Sequence, residues 1–179
     1  EIRNNPEKLS MFHFKDFIPK TIVSEDISEI SIFINSNKFT ILKPLYGNGG
    51  EGIVMVKKKD SKNNSIIKSM IRKYKGAIIA QKFIKEIKKG DRRIILIDGE
   101  YAGSVTRIPK KGSIKANFHA GGSAKKMSLV FRDKAICSKL KPFLKKKGLF
   151  FAGIDVIGNY LTEINITSPT GMQEINQLN

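Results

Sequence analysis

Cysteine, histidine and long apolar runs are what this chain lacks most. Its 179 residues hold one cysteine and two histidines. The single thiol, Cys137, excludes an internal disulfide and fits a reducing compartment, so a cytoplasmic setting is expected. It falls in a predicted helix with no acid–base partner near it in sequence, which reads as a buried, inert thiol. His119 has no Asp or Cys at catalytic or metal spacing and reads as a surface loop residue. Apolar runs such as 149–152 are far too short to span a bilayer, and no secretory signal precedes the first predicted element. The chain opens Glu-Ile-Arg-Asn-Asn-Pro without an initiator Met, and is expected to be a piece of something longer. Internal repeats and low-complexity tracts beyond a lysine bias are also missing.

Acidic residues are scarce too: 16 against 33 Lys and Arg, a net charge of +17. Such a field favours polyanions, whether nucleic acid, phosphate-rich ligands or an anionic membrane. The excess sits mainly on lysines in runs such as Lys57-Lys58-Lys59 and Lys145-Lys146-Lys147, which read as solvated faces. Hydrophobic content of 40% marks a folded protein, and the length allows one sizeable core or two small ones.

Residues 7–16 predict a short helix ended by Pro19, then a strand over 20–24 and a helix from a Ser24-Glu25-Asp26 cap to about 35. A strand over 38–43 leads into Gly47-Asn48-Gly49-Gly50-Glu51-Gly52, and a strand over 53–57 follows. A Walker or Rossmann loop lies between a strand and a helix, so both readings fail here. A glycine loop between strands can still act as a flap whose bare N–H groups close over phosphates, with Lys43 just before it supplying an ammonium. The other reading is a flexible hairpin tip. Residues 62–75 predict a basic helix, and 77–84 an apolar strand running into a segment that could line an adenine slot or simply fill a core. Strands over 91–97 and 100–108 flank a tight Asp98-Gly99 turn. Residues 109–126 read as a long lid-like loop, and 128–147 as an amphipathic helix stopped by Gly148.

The last hairpin, 153–165, carries the densest chemistry. Glu163 and Asn165 are two apart and leave the same face of a strand. Asp155 joins them if the turn is a three-residue loop, Gly158 to Tyr160, pairing Ile157 with Leu161; a two-residue Gly-Asn turn would throw it to the other face. Given the odd loop, two carboxylates and an amide oxygen converge, a hard-oxygen set that suits magnesium. The competing reading is a polar face in water. Past this hairpin the chain runs through Thr167-Ser168-Pro169-Thr170-Gly171 toward a helix start. Strands and helices mix without strict alternation, which predicts an α+β class with mainly antiparallel sheets.

The stretches Ile41-Leu-Lys-Pro-Leu-Tyr-Gly-Asn-Gly-Gly, Gly90-Asp-Arg-Arg, Arg107-Ile-Pro, Asn117-Phe-His-Ala-Gly-Gly and Leu161-Thr-Glu-Ile-Asn-Ile-Thr-Ser-Pro-Thr together resemble the ATP-grasp fold, and within it the bacterial glutathione synthetases. The resemblance implies two lobes with the nucleotide between them: a helical lead-in over 1–19, a small lobe over 20–84 with the glycine flap, and a large lobe over 85–179 with the metal hairpin and lid loop. It implies a ligase that phosphorylates the carboxylate of γ-glutamylcysteine with ATP and lets the amine of glycine displace phosphate. Two magnesium ions, or manganese, are implied on Asp155, Glu163 and Asn165, with Glu163 bridging. Lys8 and Lys43 are implied on the nucleotide, with the flap Gly47, Asn48, Gly49, Gly50, Glu51 and Gly52 closing over it. Gln81, Lys82, Phe83 and Ile84 are implied on the adenine, and Asp91 near the ribose. Arg93 and Arg107 are implied on the acyl phosphate and the tetrahedral adduct. Asn117, Gly121 and Gly122 match a mobile lid, and Ser168 a contact to the peptide substrate. The family's enzymes also carry an N-terminal domain that serves dipeptide binding and a homo-oligomer, so weak or absent synthesis is expected of this chain alone.

Two rivals remain at this stage. One is another ATP-grasp ligase that adds an amino acid to a peptide or protein end; it would share every nucleotide and metal residue. The other is a basic nucleic-acid-binding module, against which stand scattered Phe residues and no recognised RNA motif. No membrane partner is expected.

Overall fold

The computed structural model describes residue 2 and residues 4–47 and 49–178, the side chain of His119 aside. Asn48 of the glycine loop and the side chain of His119 therefore lie outside the described residues. The chain divides into two compact units, Pro19–Ile84 and a second made of Glu1–Ile18 with Lys85–Asn179.

The Pro19–Ile84 unit is built on an antiparallel sheet of four strands, β1 (Thr21–Ser24), β2 (Phe39–Pro44), β3 (Val54–Lys57) and β4 (Ile78–Lys82), in the order β1-β4-β2-β3. Helix α1 (Ile27–Asn35) starts where Asp26 accepts hydrogen bonds from the Ser28 and Glu29 amides, which satisfies two donors of its first turn. Helix α2 (Asn63–Tyr74) ends at Lys75, whose left-handed backbone stops the helix. Ile30 and Ile34 of α1 and Ile67 and Met70 of α2 lie at helical spacing and pack with Leu42, Val56, Ile78 and Ala80 into a dry aliphatic core. These strand residues point one way. Ile41, Lys43, Ile79 and Gln81 alternate with them and share the opposite face, because Lys43 pairs with Ile79 and Ile41 with Gln81.

The second unit holds a five-stranded antiparallel sheet: β5 (Asp91–Ile97), β6 (Glu100–Ile108), β7 (Ser123–Lys126), β8 (Phe151–Ile157) and β9 (Tyr160–Asn165), ordered β7-β6-β5-β8-β9. One face packs Ile94, Leu96, Ile154, Val156 and Leu161 against α3 (Phe131–Lys146), through Ile136, Leu140 and Leu144. The other packs Ile95 and Val105 against Ile175 of α4 (Met172–Leu178). Asp133 is fully buried in the first turn of α3; it accepts from the Val130 amide and from two nitrogens of Arg92. Gly148, at φ +61°, ends α3 as its sequence position predicts. Burial and the nearby Asp133 push the Cys137 thiol up to about 11, so it is protonated at neutral pH.

Three local expectations need correction. The segment over 7–16 is a 3-10 helix at Ser10–Phe17, and its Met11 and Phe14 are buried in the second unit's core rather than standing apart as a lead-in. The 109–126 stretch is not loop throughout, since its last four residues form β7 on the edge of β6. The loop of the last hairpin is also shorter than expected: Ile157 pairs with Tyr160, leaving a two-residue Gly158-Asn159 turn.

Candidate active site

A two-residue turn alone would put Asp155 opposite Thr162, with its side chain off the face that bears Glu163. A bulge prevents this. The register slips between Val156↔Leu161 and Asp155↔Glu163, so Thr162 is the extra residue, and its hydroxyl donates to the Asp155 carbonyl. Asp155 thus stands directly across from Glu163, and Asn165 lies two residues further on the same face. The β5–β6 hairpin repeats the device. Past the tight Asp98-Gly99 turn the register slips between Leu96↔Tyr101 and Ile95↔Gly103, and this slip brings Arg107 opposite Asp91. Arg93 pairs across to Asp155 on the neighbouring strand. One face of the sheet therefore carries Asp91, Arg93, Arg107, Asp155, Glu163 and Asn165.

Four of these form a buried charge cluster. Arg93 grips Asp155 with a two-armed fork, Nε to Oδ1 and Nη2 to Oδ2, and its Nη1 donates to the Thr170 carbonyl. Gly153 and Gly171 lie beside this side chain; a Cβ on Gly153 would come within 3.3 Å of the Arg93 Cδ and 2.7 Å of the Pro169 Cβ. Arg107 uses one nitrogen, Nη2, for both Asp91 Oδ2 and Asp155 Oδ2, the latter at 2.9 Å, and its guanidinium lies over the Phe118 ring. Burial opposes charge on Asp155, but Arg107 and Arg93 outweigh it and hold its carboxyl well below the usual range. Asp91 goes the other way: burial and the nearby Asp155 charge push it up to about 6, against the partial relief of Arg107. Burial also opposes charge on Arg107, yet its two carboxylate partners raise its pKa further above the ordinary arginine value.

Residues just ahead of the 3-10 helix Ser10–Phe17 lie along β9. The Glu7 carboxylate accepts from the Ile166 and Thr167 amides, and the Glu7 carbonyl from the Ile164 amide, so the N-terminal segment is clamped along the end of β9. Lys8, next in sequence, is buried; desolvation lowers its pKa, while Glu163 and Glu7 pull the other way. Sequence reasoning named Lys8 and Glu163 but not their proximity, nor the Glu7 clamp. Their separation of more than 150 residues leaves no local signal. It also placed Asp91 without its ion pair to Arg107, which only the bulged register reveals.

The donor set fits a hard divalent cation. Asn165 Nδ2 donates to the Gly153 carbonyl, which turns Oδ1, an acceptor, away from that bond. The two arginines make three contacts to Asp155, one on Oδ1 and two on Oδ2. A carboxylate has about four lone-pair positions, so Oδ1 keeps one. Among the described residues no group of three or more His, Cys, Asp or Glu side chains is placed to hold a metal.

In the other unit, the described glycines of the loop, Gly47, Gly49, Gly50 and Gly52, all take positive φ, between +61° and +111°. A Cβ on Gly52 would sit 2.1 Å from the Tyr74 hydroxyl, while one on Gly47 would meet nothing. Glu51 is exposed. Lys43 and Gln81 are buried on the sheet face away from the helices, and Gln81 Nε2 donates to the Thr21 hydroxyl. Lys82 is exposed, Phe83 packs edge-on against Phe39, and Ile84 is buried. In the second unit, Gly122 has no room for a side chain, because a Cβ would lie 1.9 Å from the Ala116 carbonyl oxygen and 3.3 Å from the Asn117 carbonyl oxygen, which accepts the Gly122 amide. Gly121 is left-handed at φ +80°, and Ser168 is exposed just past β9.

A two-unit α+β chain with a glycine loop between antiparallel strands and clustered carboxylates on a second antiparallel sheet has the architecture of an ATP-grasp protein. Solved structures agree on the fold: a D-cycloserine synthetase, DcsG, superposes with a TM-score of 0.77 at 12% identity, covering 97% of this chain and 66% of that one. D-alanyl-alanine synthetase A from Vibrio cholerae gives 0.66 at 12% identity, over 91% of this chain and 56% of that one. Residues 7–179 match the model of the prokaryotic glutathione synthetase ATP-grasp domain, and the chain belongs to that family. Its relatives include the glutathione synthetases of Agrobacterium fabrum, 42% identical over 97% of this chain and 54% of that protein, and of Thermosynechococcus vestitus, 42% identical over 99% and 56%. The chain thus spans about half the length of the curated relatives it matches. Among the described residues no helix is long and apolar enough to cross a membrane.

Proposed function

We propose that this chain carries the nucleotide- and metal-binding half of an ATP-dependent ligase that joins γ-glutamylcysteine and glycine into glutathione through an acyl phosphate. The observation that carries the reading is the bulged β8–β9 hairpin, which sets Asp155 across from Glu163 with Asn165 on the same face. Identities of 40–42% to glutathione synthetases, against 12–18% to the solved ATP-grasp ligases of other kinds, support glutathione over another amino-acid ligase product.

Phosphoryl transfer needs charge neutralisation and in-line positioning more than covalent help. Two magnesium or manganese ions would supply that neutralisation at the transferred phosphoryl oxygens. Asp155, Glu163 and Asn165 would hold them. Lys43 and Lys8 place ammonium groups on the phosphates, and the amides of 47–52 cover them. Gln81, Lys82, Phe83 and Ile84 receive the adenine and Asp91 lies toward the ribose. Arg93 and Arg107 serve the acyl phosphate and the adduct, and positively charged donors there need no reorganisation when charge develops. Asn117, Gly121, Gly122 and Ser168 face the peptide substrate. The setting is cytoplasmic, the full-length protein a homo-oligomer, and nucleic acid is not a partner.

Calorimetric titration with a non-hydrolysable ATP analogue tests this. Saturable binding that needs magnesium and weakens in Lys43→Met is expected. Binding unchanged by chelation of the metal would contradict it, and so would salt-sensitive binding of random-sequence nucleic acid in place of the nucleotide.

A further inference from the structure

Arg107 sits in an incomplete arrangement. Its Nε is buried without a hydrogen-bond partner, and so is Asp91 Oδ1. These are the two atoms that would make the second arm of a fork, because Nη2 and Asp91 Oδ2 already make the first. Arg93 shows the finished form on Asp155, with Nε and Nη2 each on its own oxygen. An arginine–carboxylate pair normally closes both arms when it can, and a buried donor and a buried acceptor left open are costly. The same Nη2 also lies 2.9 Å from Asp155 Oδ2, so Arg107 is divided between two carboxylates.

We infer that Asp91 is a holding site for Arg107: when a divalent cation is held by Asp155, Glu163 and Asn165, Arg107 releases Asp155 and closes both arms on Asp91. The inference rests on the metal reading above. A cation on Asp155 repels both guanidiniums. Arg93 keeps the Thr170 carbonyl. Arg107 is only 2% exposed and would be a buried, uncompensated charge beside the cation if Asp91 were absent. With Asp91 present, the same movement satisfies both open atoms. Asp91 is therefore a positioning residue that acts on cation affinity through Arg107, without ligating the cation.

The test is Mn2+ binding to the chain at neutral pH, read from the spin-resonance signal of free Mn2+, with circular dichroism to confirm folding. Asp91→Asn is expected to weaken Mn2+ at least about tenfold, the size usual for groups that support metal ligands, and Asp91→Glu to restore most of it. Arg107→Gln is expected to bind Mn2+ more tightly than the wild type, and adding Asp91→Asn to it to change affinity by less than about twofold. Asp91→Asn with wild-type affinity would overturn the inference. Equal weakening by Asp91→Asn with and without Arg107 would also overturn it, because Asp91 would then act on the cation itself. Should Asp91→Asn not fold, weaker binding by Arg107→Gln overturns it alone. Failure of Glu163→Gln to weaken Mn2+, or no binding by the wild type, removes the metal reading and this inference together; normal loss in Glu163→Gln with an unaffected Asp91→Asn removes only the inference.

Discussion

The two units carry their candidate chemistry in opposite ways. In Pro19–Ile84 the core is aliphatic and the glycine loop presents backbone, with positive φ at each described glycine. In the other unit the chemistry lies in side chains, and charges are buried to hold it: Asp91, Arg93, Arg107 and Asp155 are all under 9% exposed. Backbone can close over an anion with little desolvation, whereas a buried charge persists only if it is paired. The first kind of site is tolerant of most side-chain changes near it. The second fails when any member is removed.

The sharpest break of this contrast is Arg107→Ala. It strands the buried Asp91 carboxylate, leaves Asp155 to Arg93 alone, and is expected to cost about 3–5 kcal/mol in urea unfolding. Next is the pH response of the cluster. Asp91 titrates at about 6 when folded against an ordinary 3.8, so the folded chain binds that proton more tightly than the unfolded one. Its contribution is present below about pH 4 and is lost as pH rises through about 6, a swing of about 3 kcal/mol that Asp91→Asn should abolish in unfolding curves taken across that window. Asp155 works in the opposite sense, since its depressed pKa adds stability above the ordinary carboxylate range that is lost on acidification. In the backbone-built unit, Gly49→Ala places a side chain at φ +61° and is expected to cost about 1–2 kcal/mol in thermal unfolding, while weakening ATP-analogue binding far more than that strain alone would. The smallest effect is at the surface: Glu100→Ala removes the exposed Lys141 contact and should cost under about 1 kcal/mol.

The sequence made the backbone-built unit easy to read. An apolar run marked β4, Pro44 marked the end of β2, Ser24-Glu25-Asp26 marked a cap, and glycine spacing marked the loop, because each signal is local. The side-chain site was legible only in part. Glu163-x-Asn165 follows from strand alternation, and Asp155 was placed opposite Glu163, but by a three-residue loop; the chain reaches the same pairing with a two-residue turn and a bulge at Thr162. A bulge moves every later residue to the other face, and nothing in the residue pattern announced either one. For the same reason the Asp91–Arg107 pair, seven residues before its turn and eight after it, was not foreseen. β7 was missed because Ser-Ala-Lys-Lys has no alternating apolar face, being an edge strand with little buried.

The most direct measurement is the magnesium-dependent affinity of a non-hydrolysable ATP analogue for the chain and for Glu163→Gln. Glu163 stands opposite Asp155 and near Lys8, so replacing its charge while keeping its shape addresses the hairpin site and the lysine beside it. A fall of at least about tenfold is the expected result. Equal affinity for both proteins would contradict the assignment of the β8–β9 face to metal and nucleotide.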